Sequence, residues 1–223
     1  MSQAVLPRRV ETYDLREYPF PSVAAAVLGI DRLESLHEHY PLPEGSTGDQ
    51  DAPVHAVFYQ RYPQIRAHYE RFLRERIAPD YGEDLCVQRV PSFRVQYPGV
   101  TASREFHRDS DYNHQTGTIN YWLPVTRAFA TNTVWIETEP DAGEFHPVEM
   151  SPGQFLRFDA LRLKHGSHPN GTGVTRVSFD FRVLPLRMHR YSGLRSGASG
   201  VPLELGGYYM LLTRRGEFTH VSD

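Results

Sequence analysis

Two short segments of this chain carry side chains of the kinds that bind a metal ion. Phe106-His107-Arg108-Asp109-Ser110-Asp111-Tyr112 places a histidine and a carboxylate two positions apart, and Lys164-His165-Gly166-Ser167 supplies a second histidine. On an extended chain, side chains two apart leave the same face, so one ion can take both His107 and Asp109. His165 completes the set only in a fold that brings it back from much later in the chain. Two imidazoles and one carboxylate, with open positions left over, form the facial ligand set of non-haem Fe(II) oxygenases. The His-x-Asp pair alone is a weak signal. A chain with 11 histidines is expected to show about one such pair by chance.

The segment after His165 carries more weight. Residues 174–183 alternate polar and apolar, strictly so from Arg176 onward, which is the period of a strand. Arg176, Ser178, Asp180 and Arg182 fall on one face; Val177, Phe179, Phe181 and Val183 fall on the other. Arg176 lies eleven residues after His165. A histidine, a turn and a strand bearing an inward arginine place a guanidinium near the metal, where it is a fork for a carboxylate.

The remaining chain must position these groups. Its 223 residues suit one domain with a sizeable core. The expected division is a helical flank over 1–82, a strand-rich core over 83–186 and a C-terminal extension over 187–223. Residues 1–20 read as irregular and outside the fold. Residues 21–40 and 54–77 read as helices. In the second, Ile65, Tyr69, Phe72 and Leu73 form an apolar stripe, while Arg66, Glu70, Arg74 and Glu75 face away. Residues 43–53 read as a mobile, polar loop, with a lid as the other possible role. Short strands are expected over 85–97, 103–107, 116–125, 133–139, 144–150, 154–158, 162–166 and 174–184, separated by Gly, Pro, Asn or Asp turns. About eight strands with no helices between them favour a sandwich or jelly roll over a βαβ fold. The tail reads as a flexible loop over 196–200, followed by an outer strand or partner contact over 208–212.

Composition excludes several function classes. At 39% hydrophobic and 23% charged, the chain is an ordinary globular one. A net charge of -3 offers no basic field for nucleic acid. Cys86 is the single cysteine, which excludes an internal disulfide framework. No apolar run approaches the length of a membrane span, and the first residues do not read as a signal peptide. A reducing, cytoplasmic setting is expected, and it suits Fe(II). Lys164 is the only lysine, so candidates for a Schiff base are few.

The motif residues together resemble a known family. His107-x-Asp109, then Asn120-Tyr121-Trp122-Leu123-Pro124, Asn132, Gly153, His165-Gly166-Ser167-His168-Pro169-Asn170 and Arg176 are similar to the Fe(II)/2-oxoglutarate oxygenases of the phytanoyl-CoA-hydroxylase-like kind. Pro91-Ser92-Phe93-Arg94-Val95 and the wording around His107 are more specifically similar to the small oxygenases of aminoglycoside antibiotic biosynthesis, of the streptomycin and hygromycin pathway type. The resemblance covers about residues 85–185. It implies a mainly β fold, a double-stranded β-helix (jelly roll, cupin-like) with an N-terminal helical layer. It implies Fe(II), 2-oxoglutarate and O2 as cofactors, with His107, Asp109 and His165 holding the iron. Arg176 would pair with the far carboxylate of 2-oxoglutarate. Ser167 and Ser178 match two alternative positions for bonding that carboxylate, and Asn120 matches a strand position that reaches the cosubstrate. Halogenating relatives carry a small residue where this chain has Asp109, which argues against a halogenase.

The activity so implied is oxidation of an unactivated C–H bond of an aminoglycoside or its sugar precursor, by hydroxylation or oxidative ring closure. A polycationic aminosugar would want carboxylates near the site mouth, and Glu105, Asp111, Asp141 and Glu144 are available. Arg94 is a further candidate for orienting substrate or cosubstrate, or for bracing a buried acid. No protein nucleophile or general base is required. Trp122 and Trp135 are expected in the core, and His114, His146 and His168 in polar turns. Two other readings stand beside this one. A non-catalytic cupin-like binding protein would be expected to lack a ligand or the arginine. A cosubstrate-independent metal enzyme on the same barrel would be expected to use more histidines and lack Arg176.

Overall fold

A strand buried on both faces needs partners on both sides, and Arg176–Pro185 is such a strand: all ten of its residues are buried. The structure, a computed structural model, describes residues 8–46, 48–100 and 106–219. In chain order its elements are β1 (Arg9–Thr12), α1 (Phe20–Leu28), α2 (Leu36–His39), α3 (Val54–Arg61) and α4 (Pro63–Phe72). The strands β2 (Leu85–Gln88), β3 (Ser92–Gln96), β4 (Ile119–Pro124), β5 (Trp135–Glu137), β6 (Phe145–Pro147) and β7 (Gln154–Phe158) come next. The last four are β8 (His165–Gly166), β9 (Arg176–Pro185), β10 (Tyr209–Leu212) and β11 (Phe218–Thr219).

Among the described residues the larger sheet runs β1-β7-β4-β9-β2-β10-β11, with β3 also on β9, and the smaller runs β6-β5-β8. Neighbouring strands pair antiparallel throughout. This is the mainly β, jelly-roll architecture that the motif order implied, with helices layered on one face.

β9 is the axis. Its apolar residues Val177, Phe179, Phe181 and Val183 join Ile65, Tyr69, Phe72 and Leu73 in one core, which glues the helices to the sheet. Its polar residues face the interior of the jelly roll. There Asn120 of β4 sits opposite Arg182, and Trp122 opposite Asp180. On the other side Arg94 of β3 sits opposite Ser178, and Gln96 opposite Arg176. Directly opposite residues share a face, so three strands bring their polar positions to one place.

Several boundaries differ from the sequence reading. The strand expected over 85–97 is two strands, because Pro91 has no N–H for the ladder. Both halves still pair with β9. Across the gap the Gln88 side chain stands in for the missing backbone: its Oε1 accepts from Arg182 N at 3.1 Å and its Nε2 donates to Val90 O at 2.7 Å. Helix 21–40 breaks at Gly29, which caps α1 with φ 70°. The irregular N-terminus contains β1, paired along β7. The tail contributes β10, paired with β2. The strand expected over 103–107 falls mostly outside the described residues. No helix among the described residues is long and apolar enough to cross a membrane.

Phe72 is the hub of the helix–sheet core. It is fully buried, with ring contacts to Tyr13, Tyr18, Phe20, Phe155 and Phe181. Phe72→Ala is expected to destabilise the protein by about 3–5 kcal/mol, read as a lower urea midpoint at unchanged slope. A loss under about 1 kcal/mol would mean that the helices do not depend on this contact. The single cysteine reports on the tail. Cys86 is buried on β2 against Leu184, Leu203 and Tyr209, and burial pushes its thiol up to about 12. At pH 8 only about one thiol in ten thousand is thiolate. Ellman's reagent should leave the native protein unlabelled and react once after denaturation; prompt native labelling would show the tail peeling from β2.

Candidate metal centre

His107 and His165 are laced into one bridge. His107 N donates to His165 O at 3.0 Å, and His165 N donates to His107 O at 2.9 Å. Their rings lie 4.5 Å apart between centroids. Gly166 permits this approach, since a Cβ there would stand 2.9 Å from Cγ of Phe106. Asp109 opens a 3-10 turn, Asp109–Tyr112, rather than continuing a strand. Arg108 alone is extended, with φ -107° and ψ 149°, and that suffices to keep its two neighbours on one side. The Asp109 N–H donates to Ala160 O at 2.8 Å, which ties the turn to the segment leading into His165.

The ligand atoms of His107, Asp109 and His165 all lie within 4.8 Å of one another. His165 Nδ1 meets Leu163 O at 3.1 Å. A carbonyl only accepts, so Nδ1 carries the proton and Nε2 presents its lone pair. That Nε2 faces Asp109 Oδ1 at 3.8 Å. Burial pushes His165 down to about 4, against the pull of Asp109, so the ring is neutral at pH 7. For Asp109 burial is the largest single influence and pushes upward, but the charge and hydrogen bonds of Arg182 and the neighbouring histidines together outweigh it and hold the carboxyl well below the usual range. Arg182 grips it with Nε to Oδ2 at 2.9 Å and NH2 to Oδ1 at 3.1 Å. Each oxygen keeps a further lone pair. A neutral His165 imidazole, the His107 ring and a fixed anion, with their ligand atoms gathered together, are what a divalent cation between them would stabilise. The donor set fits Fe(II).

Arg176 is buried. It donates to Asn132 O at 3.0 Å, Ser178 Oγ at 3.0 Å and Gln96 Oε1 at 3.1 Å. None of these acceptors is charged. Of its five N–H donors, two remain. Burial pulls the guanidinium down to about 10, and the nearby Asp49 holds it up. With His165, Ser167 and Asn120 it lines a small chamber of about 100 Å³. Asn120 Oδ1, buried in that chamber, has no hydrogen-bond partner. A buried guanidinium with two open donors and only neutral hydrogen-bond acceptors is a site for a ligand carboxylate, the group that 2-oxoglutarate would bring, whereas Asn120 Oδ1 accepts and would meet a donor.

A second chamber, of about 420 Å³, adjoins the first at Arg94, His107 and Arg182. Sequence reasoning missed much of its wall. Ser196 of the expected flexible loop is buried and lines it with Tyr208 and His114. No local signal marks Ser196 or Tyr208, because only β10 pairing with β2 carries the tail there. Gln96 was findable, since residues 92–97 alternate with Ser92, Arg94 and Gln96 in phase.

Two of the expected substrate acids, Asp111 and Asp141, lie away from both chambers. Asp111 caps its own turn, accepting from Arg108 N at 2.8 Å. Asp141 is exposed and pairs with Arg108. Neither lines a chamber. Both were expected near a site mouth, but Asp111 caps its own turn and Asp141 ties its loop to Arg108 of that turn. Glu105 lies outside the described residues. Arg94 lines both chambers and braces Asp180 at 2.8 Å. Ser178 is spent on Arg176, whereas Ser167 faces the chamber. Trp122 lines the small chamber and lies under Arg176 at 5.8 Å. His168 packs on Trp135 and is not among the three. The loop over 43–53 is not loose around Asp49, which is buried against the small chamber.

Comparison with known proteins agrees with this architecture. No family model matches the chain. Among solved structures, CytC3 with Fe(II) and alpha-ketoglutarate aligns with a TM-score of 0.52 at 18% identity, over 92% of this chain and 82% of CytC3. The non-heme alpha-ketoglutarate-dependent carbocyclase SnoK from nogalamycin biosynthesis aligns with a TM-score of 0.51 at 13% identity, over 92% of each chain. At such identities the likeness is one of fold. In sequence, the streptomycin biosynthesis protein StrG of Streptomyces griseus is 35% identical over 197 residues, 88% of this chain and 94% of StrG. A match of that identity over nearly the whole of both chains leaves one conclusion: this chain belongs to the StrG family.

Proposed function

We propose that the protein is an Fe(II)- and 2-oxoglutarate-dependent oxygenase that oxidises an unactivated C–H bond of an aminoglycoside-type secondary metabolite or its precursor, by hydroxylation or oxidative ring closure. One observation carries the reading: a His107, Asp109, His165 cluster stands beside a buried Arg176 that has no charged hydrogen-bond partner. The relationship to StrG, and the motif wording shared with oxygenases of aminoglycoside pathways, support the substrate class.

His107, Asp109 and His165 would hold the iron, and Arg176, Ser167 and Asn120 would receive 2-oxoglutarate. Bound iron, with 2-oxoglutarate and O2, supplies the oxidising power. The chain supplies the rest. Arg182 keeps Asp109 ionised and fixed in direction. The Leu163 carbonyl sets the His165 tautomer. Ser178, Gln96 and the Asn132 carbonyl aim the Arg176 fork. Trp122 and Phe158 line the small chamber and exclude water from it.

Anaerobic addition of Fe(II) and 2-oxoglutarate is expected to give a weak visible absorption band, which His165→Ala abolishes. Arg176→Met should keep metal binding and raise the 2-oxoglutarate Kd about thirtyfold, the effect of removing ~2 kcal/mol from a buried charged pair. A band that survives His165→Ala, or undiminished cosubstrate affinity in Arg176→Met, would sink the reading. Succinate release should respond to sugars and cyclitols of this pathway type rather than to fatty acyl thioesters.

A further inference from the structure

The larger chamber meets the metal ligands His107 and Asp109 and stands apart from Arg176. If the small chamber takes 2-oxoglutarate, as proposed above, the larger one takes the molecule to be oxidised. Its charges do not suit a polycation. Among the described residues its lining holds three arginines, Arg89, Arg94 and Arg182, and one carboxylate, Asp109. Asp109 is doubly bonded by Arg182. The acid next behind it, Asp180, is shared between Arg94 and Arg182. An ammonium group entering here would find each nearby carboxylate already taken, and would be desolvated beside guanidinium groups.

Arg94 offers the opposite. Its Nε is held by Asp180 Oδ1 at 2.8 Å, which fixes the plane of the guanidinium. Its two terminal nitrogens donate to no partner among the described residues, and its side chain stays 26% exposed. A guanidinium anchored at one edge and open at the other is a fork for an oxyanion. Arg89, whose NH1 donates to Gly206 O at 2.9 Å, lies on the same wall. Tyr112 and Tyr208 supply ring faces, and Ser92 and Ser199 supply hydroxyls.

We propose that this chamber selects a hydroxylated ring substrate through an anionic group, phosphate or carboxylate, received by Arg94, and that it excludes polycationic aminosugars. The substrate would then be an anionic form of the pathway's sugar or cyclitol, which a group-transfer or oxidation step must have prepared beforehand.

Titration calorimetry of the full chain, anaerobic and with Fe(II) and saturating 2-oxoglutarate, tests this with the second anion site already filled. The probes are myo-inositol 1-phosphate, D-glucuronate, myo-inositol and 2-deoxystreptamine. At least one anionic ring should bind tenfold or more tightly than myo-inositol, and 2-deoxystreptamine should bind less tightly than either anion. The phosphate and carboxylate arms identify the group. Arg94→Met should lower the anion affinity tenfold or more, and Arg94→Lys should recover part of it. If Arg94→Met does not fold, a salt titration of the unmodified protein decides: anion affinity must fall with ionic strength while that for myo-inositol holds. Tighter binding of 2-deoxystreptamine, or no difference among the four probes, overturns the proposal. So does an Arg94→Met variant that loses 2-oxoglutarate instead. Failure of the oxygenase reading shows separately, as absent 2-oxoglutarate binding, and the ring probes are then titrated against the protein alone.

Discussion

Three of the ten buried residues of β9 are charged: Arg176, Asp180 and Arg182. Buried charge is costly unless paired, so the interior of the jelly roll must be built around answering groups. Asp180 answers Arg94 and Arg182. Arg182 in turn needs Asp109, which arrives from the turn after His107. The carboxylate of the candidate metal centre is thus part of the pairing that lets β9 be buried at all. Arg176 is the exception. Its three hydrogen-bond acceptors are neutral, two of its donors stay open, and the acid that offsets its charge, Asp49, is a neighbour rather than a hydrogen-bond partner.

The same economy explains why the ligands meet. His107 and His165 exchange two backbone hydrogen bonds, so their rings are neighbours for the reason that opposed residues in any sheet are. Gly166 keeps the bridge close to Phe106. Asp109 is then placed by one extended residue and one turn. Such a site sits on ladder hydrogen bonds rather than on mobile loops, which is how a constellation is held within a fraction of an ångström.

The chambers divide the interior by charge. One ends on an arginine with two open donors and an unsatisfied amide. The other is walled by arginines whose nearby acids are already engaged. The loops bearing Asp111 and Asp141 use those acids for their own caps and ties, so acidity counted along the chain does not describe the cavity. An acid near a ligand in sequence is often nearer still to a backbone N–H that needs capping.

Local chemistry was legible from the residues alone. The alternation over 174–183 named both faces of β9 correctly, because a period of two maps directly onto a pleated strand. The His-x-Asp motif, the spacing to Arg176 and the apolar stripe of 65–73 likewise needed no coordinates. Strand 85–97 was read too long although Pro91 was visible, since a ladder can resume beyond a break when the partner strand is continuous. Which serine faces the chamber, which acids line it, and how the tail closes its wall were decided only by tertiary structure. Those outcomes depend on pairings between positions as distant as Arg182 and Asp109, or Tyr209 and Gln88. Periodicity reports the face on which a side chain lies; the charge or hydroxyl that meets it there is set by which other strand is laid alongside.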